Sequence, residues 1–412
     1  VSLIGGNFLI DGAGGNDTIN GSALADVIRG GQGDDRLNGG EGGDTYWVSG
    51  AGPDWISGVP YTFEGYDTYA DTGSSGVDQI VAVGAGPVDI GFTDFSAASG
   101  IEQIVNATSN GAGGTAQVRL LGYWANNLLD FSAVSLIGGN FLIDGAGGND
   151  TIKGSSLADT IRGGQGDDRL DGGEGGDTYW VSGAGPDWVS GVPYTFEGYD
   201  TYADSGSSGL DQIVAVGAGP VDIGFADFSA ASGIEQIVNT TSNGAGGTAQ
   251  VRLLGYWASN TLDFSAVNLI GGNFVIDGAG GNDTINGSAL ADVIRGGQGD
   301  DRLNGGEGGD TYWVSGAGPD WVSGVPYTFE GYDTYADSGS SGVDQIVAIG
   351  SGPVDIGFAD FSAASGIEQI VNTTSNGAGG TAQVRLLGYW ARSEETRLNS
   401  SHSSVSRMPS SA

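Results

Sequence analysis

The chain has 412 residues, with 81 glycines, no cysteine and a formal net charge of −37. This acidity disfavours binding to nucleic acids and to anionic membrane surfaces, and it favours divalent cations. The lack of cysteine excludes disulfides and thiol chemistry, and no apolar run approaches the roughly 20 residues needed to insert across a membrane.

The first recognisable element is a block of four consecutive nine-residue segments at positions 12–47. The segments 30–38 and 39–47 fit the pattern Gly-Gly-x-Gly-x-Asp-x-apolar-x at every position. Segment 12–20 changes one glycine, whereas segment 21–29 keeps only its first glycine, the Asp and the apolar residue. The whole block returns at 145–180 and 278–313.

Each nine-residue segment predicts a tight turn of about six residues followed by a strand of about three. Glycines permit the turn because they reach positive φ without a Cβ clash, and the single apolar residue points inward. Two segments make one coil of a flattened solenoid, so turns 18 residues apart stack on each other. Asp17 is then expected over Asp35, and Asp26 over Asp44.

Stacked carboxylates require a cation between them. At the spacing of neighbouring strands, two of them repel by about 3 to 4 kcal/mol at an effective dielectric near 20. Calcium fits because it takes about 6 to 8 oxygen ligands, and glycine-rich turns present main-chain carbonyls beside the carboxylates. The alternative is that the Asp residues only close Asx-turns in polar loops. Consecutive segments in one register, three times over, favour the calcium interpretation.

These segments resemble the RTX (haemolysin-type) calcium-binding nonapeptides. The resemblance implies a parallel β-roll in which calcium is held between turns by the Asp at the sixth position and by turn carbonyls. In the segments 21–29, 154–162 and 287–295 the inner glycines are missing, so we expect incomplete sites on that side of the roll. The metal ligands implied by the resemblance are Asp17, Asp26, Asp35, Asp44, Asp150, Asp159, Asp168, Asp177, Asp283, Asp292, Asp301 and Asp310.

The stretch after each block contains short β-rich runs separated by turn clusters. In the first copy the runs lie at 79–83, 88–92, 101–105, 118–121 and 128–132. They predict wider rungs of the same solenoid, so the expected fold is all-β, a right-handed parallel β-roll or β-helix. An acidic segment at 64–71 remains open: Asp67 either completes an additional half-site or lies in a solvated loop.

A longer period of 133 residues contains the blocks and predicts three tandem repeats. Their expected bounds are 1–133, 134–266 and a truncated third repeat at 267–391. The remaining residues, 392–412, differ in composition, resemble a translated sequencing adapter and are expected to be non-native and disordered. The chain is therefore expected to be a fragment of a longer protein.

Three functional hypotheses follow. The favoured one is a calcium-stabilised extracellular scaffold or stalk of a large secreted or surface-attached protein, exported from bacteria through a one-step type I channel, as the resemblance implies. The second is an array that binds surface glycans or other cell-surface ligands through recurring aromatics such as Trp55 and Trp124. The third is a module of a secreted enzyme whose catalytic domain lies elsewhere. Residues 1–391 contain no His and no Cys, so we expect no catalytic residues here.

Overall fold

The computed structural model describes residues 8–49, 63–182, 196–315 and 329–389. The tail at 392–412 and two of the recurring aromatics, Trp55 and Tyr61, lie outside the described residues. Regular structure in the described ranges consists of parallel strands and three short 3₁₀ turns, at Ala97–Ser99, Ala230–Ser232 and Ala363–Ser365. Among these residues we find no helix with the length and apolar character of a membrane span.

The strands recur with the period of about 133 residues seen in the sequence. The first repeat forms β1 (Leu9–Asp11), β2 (Thr18–Asn20), β3 (Val27–Arg29), β4 (Arg36–Asn38), β5 (Thr45–Ser49), β6 (Tyr66–Tyr69), β7 (Gln79–Ala85), β8 (Val88–Phe92), β9 (Gln103–Ser109), β10 (Val118–Gly122) and β11 (Leu128–Asp130). The second forms β12 (Ser135–Ile137), β13 (Phe141–Asp144), β14 (Thr151–Lys153), β15 (Thr160–Arg162), β16 (Arg169–Asp171), β17 (Thr178–Ser182), β18 (Tyr199–Tyr202), β19 (Gln212–Val216), β20 (Val221–Phe225), β21 (Gln236–Asn239), β22 (Val251–Gly255) and β23 (Thr261–Asp263). The third forms β24 (Asn268–Ile270), β25 (Phe274–Asp277), β26 (Thr284–Asn286), β27 (Val293–Arg295), β28 (Arg302–Asn304), β29 (Thr311–Ser315), β30 (Tyr332–Tyr335), β31 (Gln345–Ile349), β32 (Val354–Asp360), β33 (Gln369–Asn372) and β34 (Val384–Gly388).

The chain divides into two compact units, one formed by Val1–Tyr256 with Asp263–Val275 and the other by Trp257–Leu262 with Ile276–Ala412. In the first unit, one sheet has the strand order β1-β3-β5-β7-β9-β12 and a second begins β2-β4-β6-β8-β10-β13. The second sheet continues β15-β17-β19-β21-β24, and a further series in this unit runs β11-β14-β16-β18-β20-β22. Successive strands therefore alternate between two sheets, and each pair of strands makes one coil of a parallel β-roll.

The second unit repeats this arrangement. One series of its strands runs β27-β29-β31-β33 and the other runs β26-β28-β30-β32-β34. Pairing within each series is parallel, as in the match of Thr284 with Arg302 between β26 and β28. The all-β solenoid predicted from the sequence is confirmed in each unit.

The nine-residue period produces three-residue strands with an inward apolar residue, as predicted. Ile19 on β2 pairs with Leu37 on β4, which confirms that turns 18 residues apart stack. Ile19, Ile28 and Leu37 are buried, while the residues flanking each of them are more exposed. The wider rungs add aromatic packing, since the rings of Phe95 and Phe131 stack with their centroids 5.0 Å apart. This continuous apolar core supports the polar turns on the outside of the roll.

The acidic segment at 64–71 is not a solvated loop. Residues 66–69 form strand β6, which pairs with β4 on one side and β8 on the other. Asp67 is only 5% exposed, because β6 continues the stack of the preceding block. The loop alternative considered from the sequence is wrong, and the side chain of Asp67 lies within the roll.

Candidate metal centre

Successive turns are linked by a ladder of hydrogen bonds, in which the main-chain N–H of one Asp donates to the side-chain carboxylate of the Asp in the next turn. The N–H of Asp17 donates to Oδ1 of Asp35 at 2.7 Å. The same bond joins Asp150 to Asp168 at 2.7 Å in the second block. In the third block it joins Asp283 to Asp301 at 2.8 Å. The turn geometry thus brings the predicted Asp ligands into columns, because each glycine-rich turn places its Asp side chain under the backbone of the turn before it.

The second oxygen of these carboxylates lacks a partner. In the part of the chain that the structure describes, it is shielded from solvent and accepts no hydrogen bond. A shielded anionic oxygen without a donor is costly, so its recurrence indicates positions that suit a cation. The Oδ2 atoms concerned belong to Asp17, Asp35, Asp44, Asp150, Asp168, Asp177, Asp283, Asp301 and Asp310.

Main-chain carbonyl oxygens lie beside these carboxylates. A Cβ atom on Gly12 would lie 2.7 Å from Oδ2 of Asp17 and 2.5 Å from the carbonyl oxygen of Gly30. Gly31 has φ of +99°, and a Cβ there would overlap the carbonyl oxygen of Ala13. The absence of side chains lets the turns approach closely and present carboxylate and carbonyl oxygens together, which is the ligand set that calcium prefers. The residues present therefore fit the ion.

The pKa values of the carboxylates in the metal-free fold also favour a bound cation. Burial raises the pKa of Asp168 to about 8, and the neighbouring Asp150 carboxylate adds to the rise. Burial likewise raises the pKa of Asp283 to about 8, with the charge of Asp301 contributing. The ionised forms are disfavoured because water is excluded and like charges face each other. A divalent cation would remove that penalty by supplying opposite charge.

The other side of the roll differs because serine replaces the second glycine, and leucine the glycine at the fourth position, in the segments 21–29, 154–162 and 287–295. Asp159 keeps the ladder, since its N–H donates to Oδ1 of Asp177 at 2.7 Å. Its own Oδ2, however, accepts hydrogen bonds from the N–H of Ser155 at 2.6 Å and from the hydroxyl of Ser155 at 2.9 Å. The N–H groups of Ser22 and Ser288 donate in the same way to Oδ2 of Asp26 and of Asp292. These three predicted ligands are satisfied within the protein, which supports incomplete sites at their turns.

Both columns extend past the nine-residue segments. The N–H of Asp35 donates to Oδ1 of Asp67 at 3.0 Å, and the N–H of Asp44 donates to Oδ1 of Asp78 at 2.7 Å. Burial raises the pKa of Asp67 to about 8. From the sequence, Asp67 was considered as a ligand but Asp71 of the same acidic segment was not, and Asp78 was missed. The signal for Asp78 was present, since 76–80 repeats the Gly-x-Asp-x-apolar ending of a nine-residue segment.

The comparison with known families agrees with this geometry. Residues 11–46, 144–179 and 277–312 match the family described as RTX calcium-binding nonapeptide repeat. The three blocks are RTX calcium-binding nonapeptide repeats. No curated protein matches the chain. RTX repeats bind calcium, and the clustered aspartates of this chain could hold metal ions.

Within the RTX blocks the protein residues and the ion have separate tasks. The Oδ1 atoms hold the register of successive coils through the N–H ladder, as in the 2.8 Å bond from Asp292 to Asp310. The Oδ2 atoms and turn carbonyls would hold calcium, which supplies the positive charge that lets the carboxylates remain ionised. RTX repeat domains are generally non-catalytic structural modules.

Proposed function

We propose that this chain is a calcium-stabilised scaffold or stalk segment of a large secreted or surface-attached RTX-type protein. One observation carries the proposal: each block contains shielded Oδ2 atoms that accept no hydrogen bond, in the same turns of all three repeats. The ligands of the calcium ions would be the twelve aspartates predicted from the sequence. Those of the glycine-rich turns would contribute most.

The tandem organisation supports a scaffold role. Within each compact unit the described coils pair with their neighbours, so repeats with the proposed bounds 1–133, 134–266 and 267–391 can be added in series without redesign of the fold. Short RTX blocks bury little apolar surface alone, and they stack on the wider rungs. One such contact is the pairing of Leu37 with Tyr69.

Calcium availability supports placement outside the cell. Extracellular calcium modules typically bind at about 10⁻⁴ to 10⁻³ M, a concentration absent from the cytoplasm. RTX repeat proteins are typically secreted. A chain with this many carboxylates stays unfolded in the cytoplasm and folds after export, which fits a bacterial type I channel.

Calcium titration followed by circular dichroism tests the proposal. The full chain in EDTA is expected to show little β-structure, and calcium at about 10⁻³ M should restore it. Magnesium at the same concentration is the matched control, and it should restore little because it requires a smaller octahedral shell. Equal β-structure and equal melting temperature with and without bound metal would refute the proposed function.

A second candidate, binding of surface glycans, has one specific observation in its favour. Tyr256 is 43% exposed and borders a cavity of about 420 Å³ that is also lined by Asn149 and Arg169. Exposed tyrosine beside polar groups can stack on a sugar ring. In contrast, Tyr66 is buried, and Trp124 packs against it.

Glycan-array binding of a Tyr256→Ala variant in calcium tests this candidate. Loss of a glycan signal with the fold intact would support it. Trp47 is 40% exposed and does not line the cavities described, so Trp47→Ala is the matched control. A parent chain that binds no glycan, or equal binding by both variants, would reject the candidate.

A further inference from the structure

Each repeat gathers three buried carboxylates at the end of its RTX block. Asp44, Asp71 and Asp78 each offer an oxygen, and these oxygens all lie within 4.8 Å of one another. Only Asp44 belongs to the matched RTX residues, since Asp71 and Asp78 follow in the next rung. The same clusters in the other repeats are Asp177, Asp204 and Asp211, and Asp310, Asp337 and Asp344.

We propose that each of these clusters is an additional divalent-cation site, in which two carboxylates from outside the nonapeptide motif join the last Asp of the block. This inference rests on calcium binding by the blocks, and it adds one ion per repeat at the junction between the block and the wider rung. The site joins three segments of chain, so a bound ion would fasten the block to the rung that covers it.

A buried oxygen without a partner supports the site independently of the clustering. Asp44 is 0% exposed, and its Oδ1 accepts the N–H of Asp26 at 2.6 Å. Its Oδ2 accepts no hydrogen bond from any described residue. Asp177 and Asp310, also 0% exposed, have the same unpartnered Oδ2 atoms. A fully buried anionic oxygen beside two further carboxylates requires positive charge.

A tyrosine positions the second carboxylate. The Tyr46 hydroxyl accepts the N–H of Gly39 at 2.6 Å and donates to Oδ2 of Asp71 at 2.5 Å. The N–H of Gly73 donates to Oδ1 of Asp71 at 2.8 Å. These bonds fix the Asp71 side chain before any ion binds. The arrangement recurs in the second repeat, where Tyr179 links Gly172 to Asp204.

The third carboxylate is fixed by the ladder. Oδ1 of Asp78 accepts the N–H of Asp44 at 2.7 Å, so the two side chains occupy adjacent coils. Three carboxylates with no nitrogen or sulfur ligand favour a hard ion, and calcium tolerates the irregular geometry better than magnesium. The carbonyl oxygen of Gly40 lies nearby, because a Cβ on Gly73 would overlap it while lying 3.1 Å from Oδ1 of Asp71.

Measuring the calcium content of a variant in which one carboxylate of each cluster is replaced by an amide tests the inference. The triple substitution Asp78→Asn, Asp211→Asn and Asp344→Asn removes one charge per cluster and leaves an oxygen for the ladder bond. Elemental analysis after equilibrium dialysis should show about three fewer calcium ions per chain than the parent, one for each cluster. Circular dichroism in calcium should show that the β-structure remains.

A matched control lies one rung further along the same column. The N–H of Asp78 donates to the Glu102 carboxylate at 2.8 Å, and Glu235 and Glu368 accept the corresponding bonds. None of these glutamates belongs to a cluster. The triple variant Glu102→Gln, Glu235→Gln and Glu368→Gln therefore removes the same charge and should keep the calcium count of the parent.

The outcomes separate this inference from the proposed function. A parent chain that binds no calcium refutes both. A parent that binds calcium and an Asp→Asn variant that keeps the same count while folded refute only the cluster site. Anomalous diffraction from parent crystals grown with terbium covers the case in which the variant does not fold. A peak among Asp44, Asp71 and Asp78 is expected, and peaks confined to the turns of Asp17 and Asp35 would overturn the inference.

Discussion

The main-chain N–H of Asp150 donates a 2.7 Å hydrogen bond to Oδ1 of Asp168, 18 residues later in the chain. The Oδ2 atom of the same carboxylate is shielded and accepts no hydrogen bond in the described structure. One oxygen therefore sets the register of neighbouring coils, and the other is available to a cation. The fold geometry is defined by the protein, while the charge balance depends on what occupies the space beside Oδ2.

The first prediction concerns pH in the absence of calcium. Burial raises the pKa of Asp168 to about 8 and that of Asp301 to about 7, whereas the pKa of an Asp in the unfolded chain is about 3.9. The folded chain therefore holds protons more tightly than the unfolded chain. Stability of the metal-free fold is greatest below about pH 4 and is lost as the pH rises to about 8. In EDTA the chain should show little β-structure at about pH 8, and circular dichroism should show more β-structure and a higher melting temperature at about pH 5.

Saturating calcium should weaken or reverse this dependence, because protons then compete with the ion for the same carboxylates. Calcium affinity is expected to fall as the pH drops below about 7. A metal-free chain that melts at a lower temperature in acid than at neutral pH would contradict the assignment of these carboxylates as shielded and mutually repelling.

The sequence predicted the strands and columns of the RTX blocks because a nine-residue period gives each position one environment. Ile19 and Leu37 are inward for that reason. Asp71 could not be found in this way, since it is tied to the block by the hydroxyl of Tyr46, a contact across 25 residues. Asp78 was missed because it stacks on Asp44 over 34 residues, a spacing that the longer rung imposes and the nine-residue period does not contain.

The second prediction compares the two sides of the roll. Asp168→Asn keeps the ladder oxygen and removes a charged ligand, so calcium affinity measured by isothermal titration should fall at least about tenfold at that turn. Asp159→Asn disturbs the hydrogen bonds from Ser155 and should lower the melting temperature by the equivalent of about 1 kcal/mol, with little change in calcium affinity. Equal losses of affinity in the two variants would contradict the difference between the sides.

The third prediction concerns close approach of the turns. Gly166 has φ of +126°, and a Cβ there would overlap the carbonyl oxygen of Gly148. Gly219 has φ of +94° and open space around it. Gly219→Ala should cost about 1 to 2 kcal/mol from the left-handed conformation alone. Gly166→Ala should cost a further 1 to 3 kcal/mol, roughly, because the turns must separate.

Urea denaturation of both glycine variants in calcium measures this difference, and calcium titration should show weaker binding only for Gly166→Ala. The shared positive φ makes Gly219→Ala a control for backbone strain. Indistinguishable midpoints for the two variants would show that the stacked carbonyl does not limit the site.

The last prediction concerns a buried ion pair that anchors the rung after each block. Nε of Arg162 donates to Glu197 at 3.0 Å, and the Ser182 hydroxyl donates to the same carboxylate at 2.7 Å. The Glu197 side chain is only 4% exposed, and burial raises its pKa while Arg162 opposes the rise. Removing the cation leaves a buried carboxylate, so Arg162→Met should cost about 3 to 5 kcal/mol.

Thermal melting in saturating calcium measures this cost. Lys153 is the matched control: its side chain is 46% exposed and its nitrogen lies 3.9 Å from Asp130. Lys153→Met should change stability by less than about 1 kcal/mol, because exposed pairs contribute little. The double variant Arg162→Met with Glu197→Gln should recover part of the loss, since the second change removes the unpaired charge. If the loss of stability in the double variant equals the sum of the losses in the two single variants, the two side chains act independently and the pair does not anchor the rung.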